Sequence, residues 1–156
     1  MRTLIHTDQS FIDSVICSCN ICFVGMVDKE GIPYVLPMNF GYQDKVVYLH
    51  SAQEGHSIEI LKQNPNVCIT FNTQNELVHQ HADVACSYRM RSKSVMAWGK
   101  VYFEEDLQKK TKALNAIMRQ YSDKLFNYSE PAVKNVKIWC VELEKITCKE
   151  FGAPHI

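Results

Sequence analysis

The sequence predicts a mainly β protein with flanking helices, in which about six strands form an antiparallel sheet closed into a small barrel. Three observations predict it. Strand-length apolar stretches recur along the chain, the first three are joined by hairpin-length links, and the one long helical pattern, Asp106 to Gln120, falls between strands. Alternation alone leaves an α+β sandwich open as the other arrangement.

In chain order, Asp8 or Ser10 is suited to cap a short helix that carries Phe11, Ile12, Val15 and Ile16 on one face. Cys22–Val27 reads as a strand, and Asp28-Lys29-Glu30-Gly31 as a turn. Ile32 to Tyr42 resumes an extended chain. Pro37 has no N–H to give a ladder, so it marks an edge, a bulge or a ligand-facing break. Gln43-Asp44-Lys45 turns the chain into Val46–His50. Glu54 to Gln63 reads as a short helix stopped by Asn64-Pro65-Asn66, and Val67–Phe71 as a compact strand. Asn72 to Cys86 is polar and reads as a loop or irregular extension. Ser94–Phe103 is the longest strand expected, with Gly99 marking a bulge or bend. The Asp106–Gln120 helix carries Leu107, Thr111, Leu114, Ile117 and Met118 on one side. Tyr121 to Val136 has no defined pattern. Lys137–Lys149 closes the chain as a strand whose alternation shifts midway.

At 156 residues the chain suits one domain, residues 1–156, with a core of ordinary size. Lys plus Arg and Asp plus Glu are 17 each, so the chain lacks the phosphate-neutralising excess of a general nucleic-acid binder. No apolar run has signal-peptide or membrane-span length, and the expectation is a cytoplasmic protein. The seven cysteines are an odd number, which disfavours a fully paired disulfide framework.

Four stretches carry candidate chemistry. Cys17, Cys19 and Cys22 include one C-x-x-C spacing, but no second pair completes a tetrahedral metal site, so buried thiols are the expectation. His79, His81 and Cys86 form a second metal-like cluster set among polar residues, where a solvated loop is the competing reading. No metal site is expected. Arg89, Arg91 and Lys93 lie beside Ser92 and Ser94, a combination suited to clamp an anion or simply to face solvent. Tyr48 to Leu61 reads as a strand end, a polar loop with Gly55, and a helix N-terminus whose free N–H groups suit a phosphate. If strand pairing joins these last two stretches, one phosphate meets backbone N–H groups, serine hydroxyls and a cation.

The ordered set Pro37-Met38-Asn39-Phe40-Gly41-Tyr42, Tyr48-Leu49-His50-Ser51-Ala52 through Gly55-His56, Asn64-Pro65-Asn66-Val67-Cys68, Ser94-Val95 through Gly99-Lys100, and Ile146-Thr147-Cys148-Lys149 resembles the pyridoxamine 5′-phosphate oxidase-related split-barrel proteins, and among them the nitroimidazole-resistance branch. The resemblance implies a six-stranded antiparallel split barrel of Greek-key type. It implies a homodimer with FMN at the subunit interface and a small-molecule substrate. By this likeness Pro37, Met38 and Asn39 line the flavin ring. His50, Ser51, Ala52, His56 and Ser57 surround the ribityl phosphate, and Lys93, Ser94 and Val95 approach from the next strand. The implied activity is FMN-dependent oxidoreduction, extending to reduction of nitroaromatic compounds such as 5-nitroimidazoles. His50 is the residue nearest a proton-donor or substrate role, with positioning of the loop as the competing role. Ser57 departs from the family pattern, which often has a Lys or Arg there. A haem-handling split barrel and a non-enzymatic flavin carrier are the alternatives.

Overall fold

The computed structural model of the chain describes residues 2–154. Eight strands form one antiparallel sheet: β1 (Arg2–His6), β2 (Cys22–Val27), β3 (Pro33–Met38), β4 (Gly41–Gln43), β5 (Val46–Ser51), β6 (Asn66–Val78), β7 (Arg89–Glu104) and β8 (Lys137–Ala153). Four α-helices flank it: α1 (Gln9–Cys17), α2 (His56–Gln63), α3 (Leu107–Arg119) and α4 (Glu130–Asn135). The sheet order is β3-β2-β6-β7-β8-β5-β4. β8 carries β7 along one edge, while its other edge is shared by β5 in the first half and β1 in the second. One long strand is thus divided between two neighbours along that edge.

The local chemistry follows the sequence closely in the first half. The Asp8 carboxylate accepts from the Phe11 N–H and caps α1, which buries Ile12, Val15 and Ile16. Asp28 Oδ1 accepts from the N–H groups of Glu30 and Ile32 and closes the β2–β3 turn. Asp44 and Lys45 both have positive φ, matching the two-residue hairpin turn that the right-handed strand twist favours. Pro37 does lie on an edge strand, since β3 ends the sheet.

Two expectations need correction, and one open stretch is filled in. Asn72–Val78, expected as a loop, continues β6, and Arg89–Lys93 already belongs to β7. Together they form a projecting hairpin arm, held by ladder hydrogen bonds with most side chains on β6 exposed, so no apolar alternation announces it. The expected six strands become eight. β1 is one addition: Arg-Thr-Leu-Ile-His has little strand signal of its own, and its pairing comes from β8 at the far end of the chain. β4 is the other, split from β3 where the chain passes Asn39 and Phe40. The uncertain stretch Tyr121 to Val136 contains α4, capped by the Ser129 hydroxyl accepting from the Ala132 N–H.

The core fills the barrel with Val24, Val47, Leu49, Ile69, Phe71, Val95, Trp139 and Val141, and α1 and α2 supply Ile16 and Ile58. Burying each of these large side chains contributes about 1.5–3 kcal/mol. The shift of alternation within β8 has a cause. Trp98 pairs with Lys145 but Gly99 pairs with Leu143, so Glu144 is an extra residue. Trp139 and Val141 face the core before the bulge, and Ile146 and Cys148 face it after. Gly99 is required there, because a Cβ would collide with the Glu142 carbonyl.

Candidate functional site

The site-bearing stretch begins where β5 ends. Trp139 is wholly buried, and its indole Nε1 donates to Ser51 Oγ at 2.9 Å. The Ser51 hydroxyl donates in turn to the Ala52 carbonyl at 2.8 Å. Gln53 Nε2 donates to the Lys134 carbonyl in α4. Ser51 and Gln53 therefore tether the loop to β8 and α4, and the hydroxyl of Ser51 has both its donor and an acceptor position engaged.

Past this tether the chain opens. Gly55 is the N-cap of α2 with φ 148° and ψ 170°, a conformation essentially reserved for glycine, and no side chain caps the helix. The first helical hydrogen bond runs from the Glu59 N–H to the Gly55 carbonyl. The N–H groups of His56, Ser57 and Ile58 are thus the orphan donors of the helix, and a Cβ on Gly55 would meet only open space. Ala52, Glu54 and His56 are exposed, and the His56 ring packs edge-on against Tyr34 at 4.8 Å. The Glu59 carboxylate, in the first turn, is matched by Lys62 at 3.1 Å. Free N–H groups and the positive end of the helix dipole make such a helix end favourable to a negative charge, and a phosphate monoester is a group these donors would suit.

His50 lies one residue before the tether, opposite Ile138 in the ladder, and Ile138 is in turn opposite Glu104. Directly opposed residues share a face of the sheet, so His50 faces outward with Ile138 and Cys140, whose contacts include Ala113 of α3. Burial holds its imidazole below the ordinary value of 6.5, and its ring makes no hydrogen bond among the described residues.

The second nominated stretch is not beside the first. Ser51 pairs with Lys137 at the start of β8, whereas Lys93 pairs with Glu150 near its end. Strand pairing does not join the two within one chain. The cations there are also engaged: Arg91 pairs with Glu76 at 3.2 Å, and Lys93 Nζ sits 5.0 Å from the centre of the Phe11 ring. The ladder relates this stretch to β3 instead. Met38, Cys22, Phe71 and Val95 form one cross-strand row on the core side, and Pro37, Phe23, Thr70 and Met96 form the next row on the outer side. Ser94 is on that outer face as well, opposite Asn72. Asn39 is exposed between β3 and β4.

The other nominated groups resolve as packing. Cys19 and Cys22 are buried thiols, and burial pushes Cys22 up to about 12. Cys19 Sγ donates to the Val15 carbonyl, and Cys17 is exposed. His79 stacks on Tyr88, while Ser87 Oγ bonds both the N–H and the carbonyl of His81. Among the described residues no three His, Cys, Asp or Glu side chains are gathered for a metal ion. Sequence reasoning missed Trp139 and Gln53 as supports of the loop. An indole in a strand gives no sign of its partner until the ladder sets Leu49 opposite it.

A sheet whose longest strand is shared between two neighbours, with helices on its flanks and an uncapped helix N-terminus after β5, has the architecture of a split-barrel protein. The sequence matches the pyridoxamine 5′-phosphate oxidase family over residues 8–150, and the chain belongs to that family. It is similar to a solved protein of Bacteroides thetaiotaomicron, described as a candidate 5-nitroimidazole antibiotic resistance protein, with 50% identity, 96% of this chain and 87% of that chain covered, and a TM-score of 0.87. The fold is shared more distantly with a flavocytochrome of Azotobacter vinelandii, at 20% identity over 98% of this chain and 72% of that one, with a TM-score of 0.82. It is shared also with a FAD- and haem-binding protein of Mycobacterium smegmatis, at 14% identity over 97% and 76%, with a TM-score of 0.84. No curated protein matches the chain. Among the described residues, no helix is long and apolar enough to cross a membrane.

Proposed function

We propose that the chain is an FMN-dependent oxidoreductase that acts as a homodimer on small nitroaromatic compounds of the 5-nitroimidazole type. The uncapped N-terminus of α2 at Gly55 carries this reading, because it offers three unpaired N–H groups to a phosphate at the position where the family resemblance expects one. The 50% identity to the Bacteroides protein supports the substrate class.

In this reading the His56, Ser57 and Ile58 N–H groups hold the phosphate, and Pro37, Met38 and Asn39 border the ring. A bound flavin supplies two-electron transfer to the substrate. Ser51 keeps the loop in place through Trp139. His50, at the end of β5 beside the tether, is the residue placed to position the loop or to serve as a proton donor or substrate contact.

The outer face supports the dimer. Phe23 is 45% exposed, Val35 58% and Met96 39%, and they lie on the same side of adjoining strands as Pro37. An apolar sheet face of this kind is covered in a stable assembly. A second chain on it would also reach the rim bearing Asn39 and Ser94.

The test is the visible spectrum of the purified protein before and after adding FMN. The expected result is flavin absorbance released as FMN on denaturation, with loss of a 5-nitroimidazole when a reductant is supplied. Colourless protein that gains no thermal stability from FMN overturns the flavin reading. A Soret band on adding haem, lost in His50→Gln, would put a haem-handling protein in its place. FMN binding without turnover of nitro compounds would mark a carrier.

A further inference from the structure

The surface of α3 holds a feature that the flavin reading does not use. Lys109, Lys112, Asn115 and Arg119 recur at spacings of three and four, so they form one stripe along the helix, about 15 Å long at 1.5 Å per residue. None of these three cations has an ion-pair partner among the described residues. The stripe borders the line where α3 packs against β4 and β5.

Two concavities lie along that line and share Tyr48 and Lys112. The larger, about 350 Å³, adds Gln43, Asp44, Asn115 and Arg119. The smaller, about 140 Å³, adds Tyr102, Glu104, Lys109 and Cys140. Two acids face the cations. Asp44 is at the exposed tip of the β4–β5 hairpin. Glu104 is buried with both oxygens used, one accepting from the Tyr102 hydroxyl and the other from the Asp106 N–H. The larger hollow therefore sets two unpaired cations against one acid, beside an aromatic ring and two amide side chains. The chain as a whole has zero formal charge and the hollows are concave, which suits a small anion better than a nucleic-acid backbone.

We propose that the groove between α3 and the β4–β5 hairpin binds a nucleoside diphosphate, with phosphoryl groups on Lys112 and Arg119 and the base against Tyr48. Two cations seven residues apart on one helix face are separated by about 10 Å, a span that a diphosphate meets through long flexible side chains. Gln43 and Asn115 offer amide donors and acceptors to the sugar.

The full-length protein, with its flavin state recorded, is titrated by calorimetry with ADP, AMP, pyrophosphate and adenosine. ADP is expected to bind more tightly than AMP or pyrophosphate, with adenosine weakest, and added salt should weaken ADP binding. The double variant K112Q/R119Q keeps helix-favouring residues at exposed positions, and should weaken ADP about tenfold or more, the loss of charge-assisted hydrogen bonds. Its circular dichroism and flavin absorbance should match the parent, so a failed flavin reading and a failed groove register separately. Three results would overturn the proposal: no ADP binding, ADP binding unchanged in K112Q/R119Q, or ADP displaced by FMN and abolished by Gly55→Ala. Pyrophosphate binding as tightly as ADP would overturn the assignment of a nucleoside.

Discussion

Trp139 and Ser51 are joined by a 2.9 Å hydrogen bond from the indole nitrogen to the hydroxyl oxygen, the link between the core and the loop that leads into α2. Removing the hydroxyl in Ser51→Ala leaves a buried N–H without an acceptor, which costs about 1–3 kcal/mol. Trp139→Phe loses the bond and leaves a void, and should cost about 2–4 kcal/mol. Urea unfolding measures both. Each variant should also retain less FMN on dialysis than its loss of stability alone explains, because the loop that presents the α2 N-terminus is released.

Gly55 needs its positive φ but not empty space, since a Cβ would touch nothing within 4 Å. Gly55→Ala should therefore act through the backbone alone, at about 1–3 kcal/mol. Relaxation of that strain would turn the orphan N–H groups away. A variant that binds FMN as the parent does would separate the phosphate from this helix end.

Ser57 leaves the first turn of α2 without a cation, while Arg91 pairs with Glu76 and Lys93 lies over the Phe11 ring. A lysine in the first turn opposes the helix dipole by about 0.3–1 kcal/mol in the ligand-free protein, and gains a charge-assisted contact once a phosphate is bound. Ser57→Lys should lower the thermal midpoint without FMN and raise it with FMN. Equal shifts in both conditions would place the phosphate away from residue 57.

His50 sets the expected pH dependence. Burial depresses its pKa below 6.5 in the folded chain, so folding disfavours its protonation. Its contribution to stability is complete above the ordinary value and is lost as pH falls through the lowered folded value. Urea midpoints should drop between about pH 7 and pH 5, and His50→Gln should flatten that limb. An unchanged limb in the variant would assign it to other groups.

The outer face gives a test of association. Phe23→Asp and Met96→Glu each put a charge onto exposed apolar surface, where it costs the single chain little and a dimer much. Sedimentation should show parent dimers and variant monomers, with FMN affinity falling in step. Dimers that persist in both variants would mean that another face is used.

Much of the local structure was legible in the sequence because its causes are local. The Asp8 cap, the Asp28 turn, the edge proline at 37 and the glycine bulge at 99 each follow from what one residue type permits the backbone to do. The helix start after Tyr48 was legible for the same reason, since a glycine before a short helix leaves its first N–H groups uncapped. Family membership was legible from the order and spacing of short motifs, and the match over residues 8–150 bears it out.

Only the tertiary structure decided what depends on distant partners. The polar arm from Asn72 to Arg91 is a strand pair because its backbone groups satisfy one another, and side-chain pattern has no part in that. β1 exists because β8 has a free edge beyond Cys148. Ser51 is a tether because Trp139 lies opposite Leu49, and Arg91 pairs with Glu76 because the two lie opposite in the ladder. The sequence determined which groups could carry chemistry, through the conformational and hydrogen-bonding limits of single residues. The ladder register decided which of those groups were already spoken for, because side-chain pairing across a sheet is set by strands far apart in the chain.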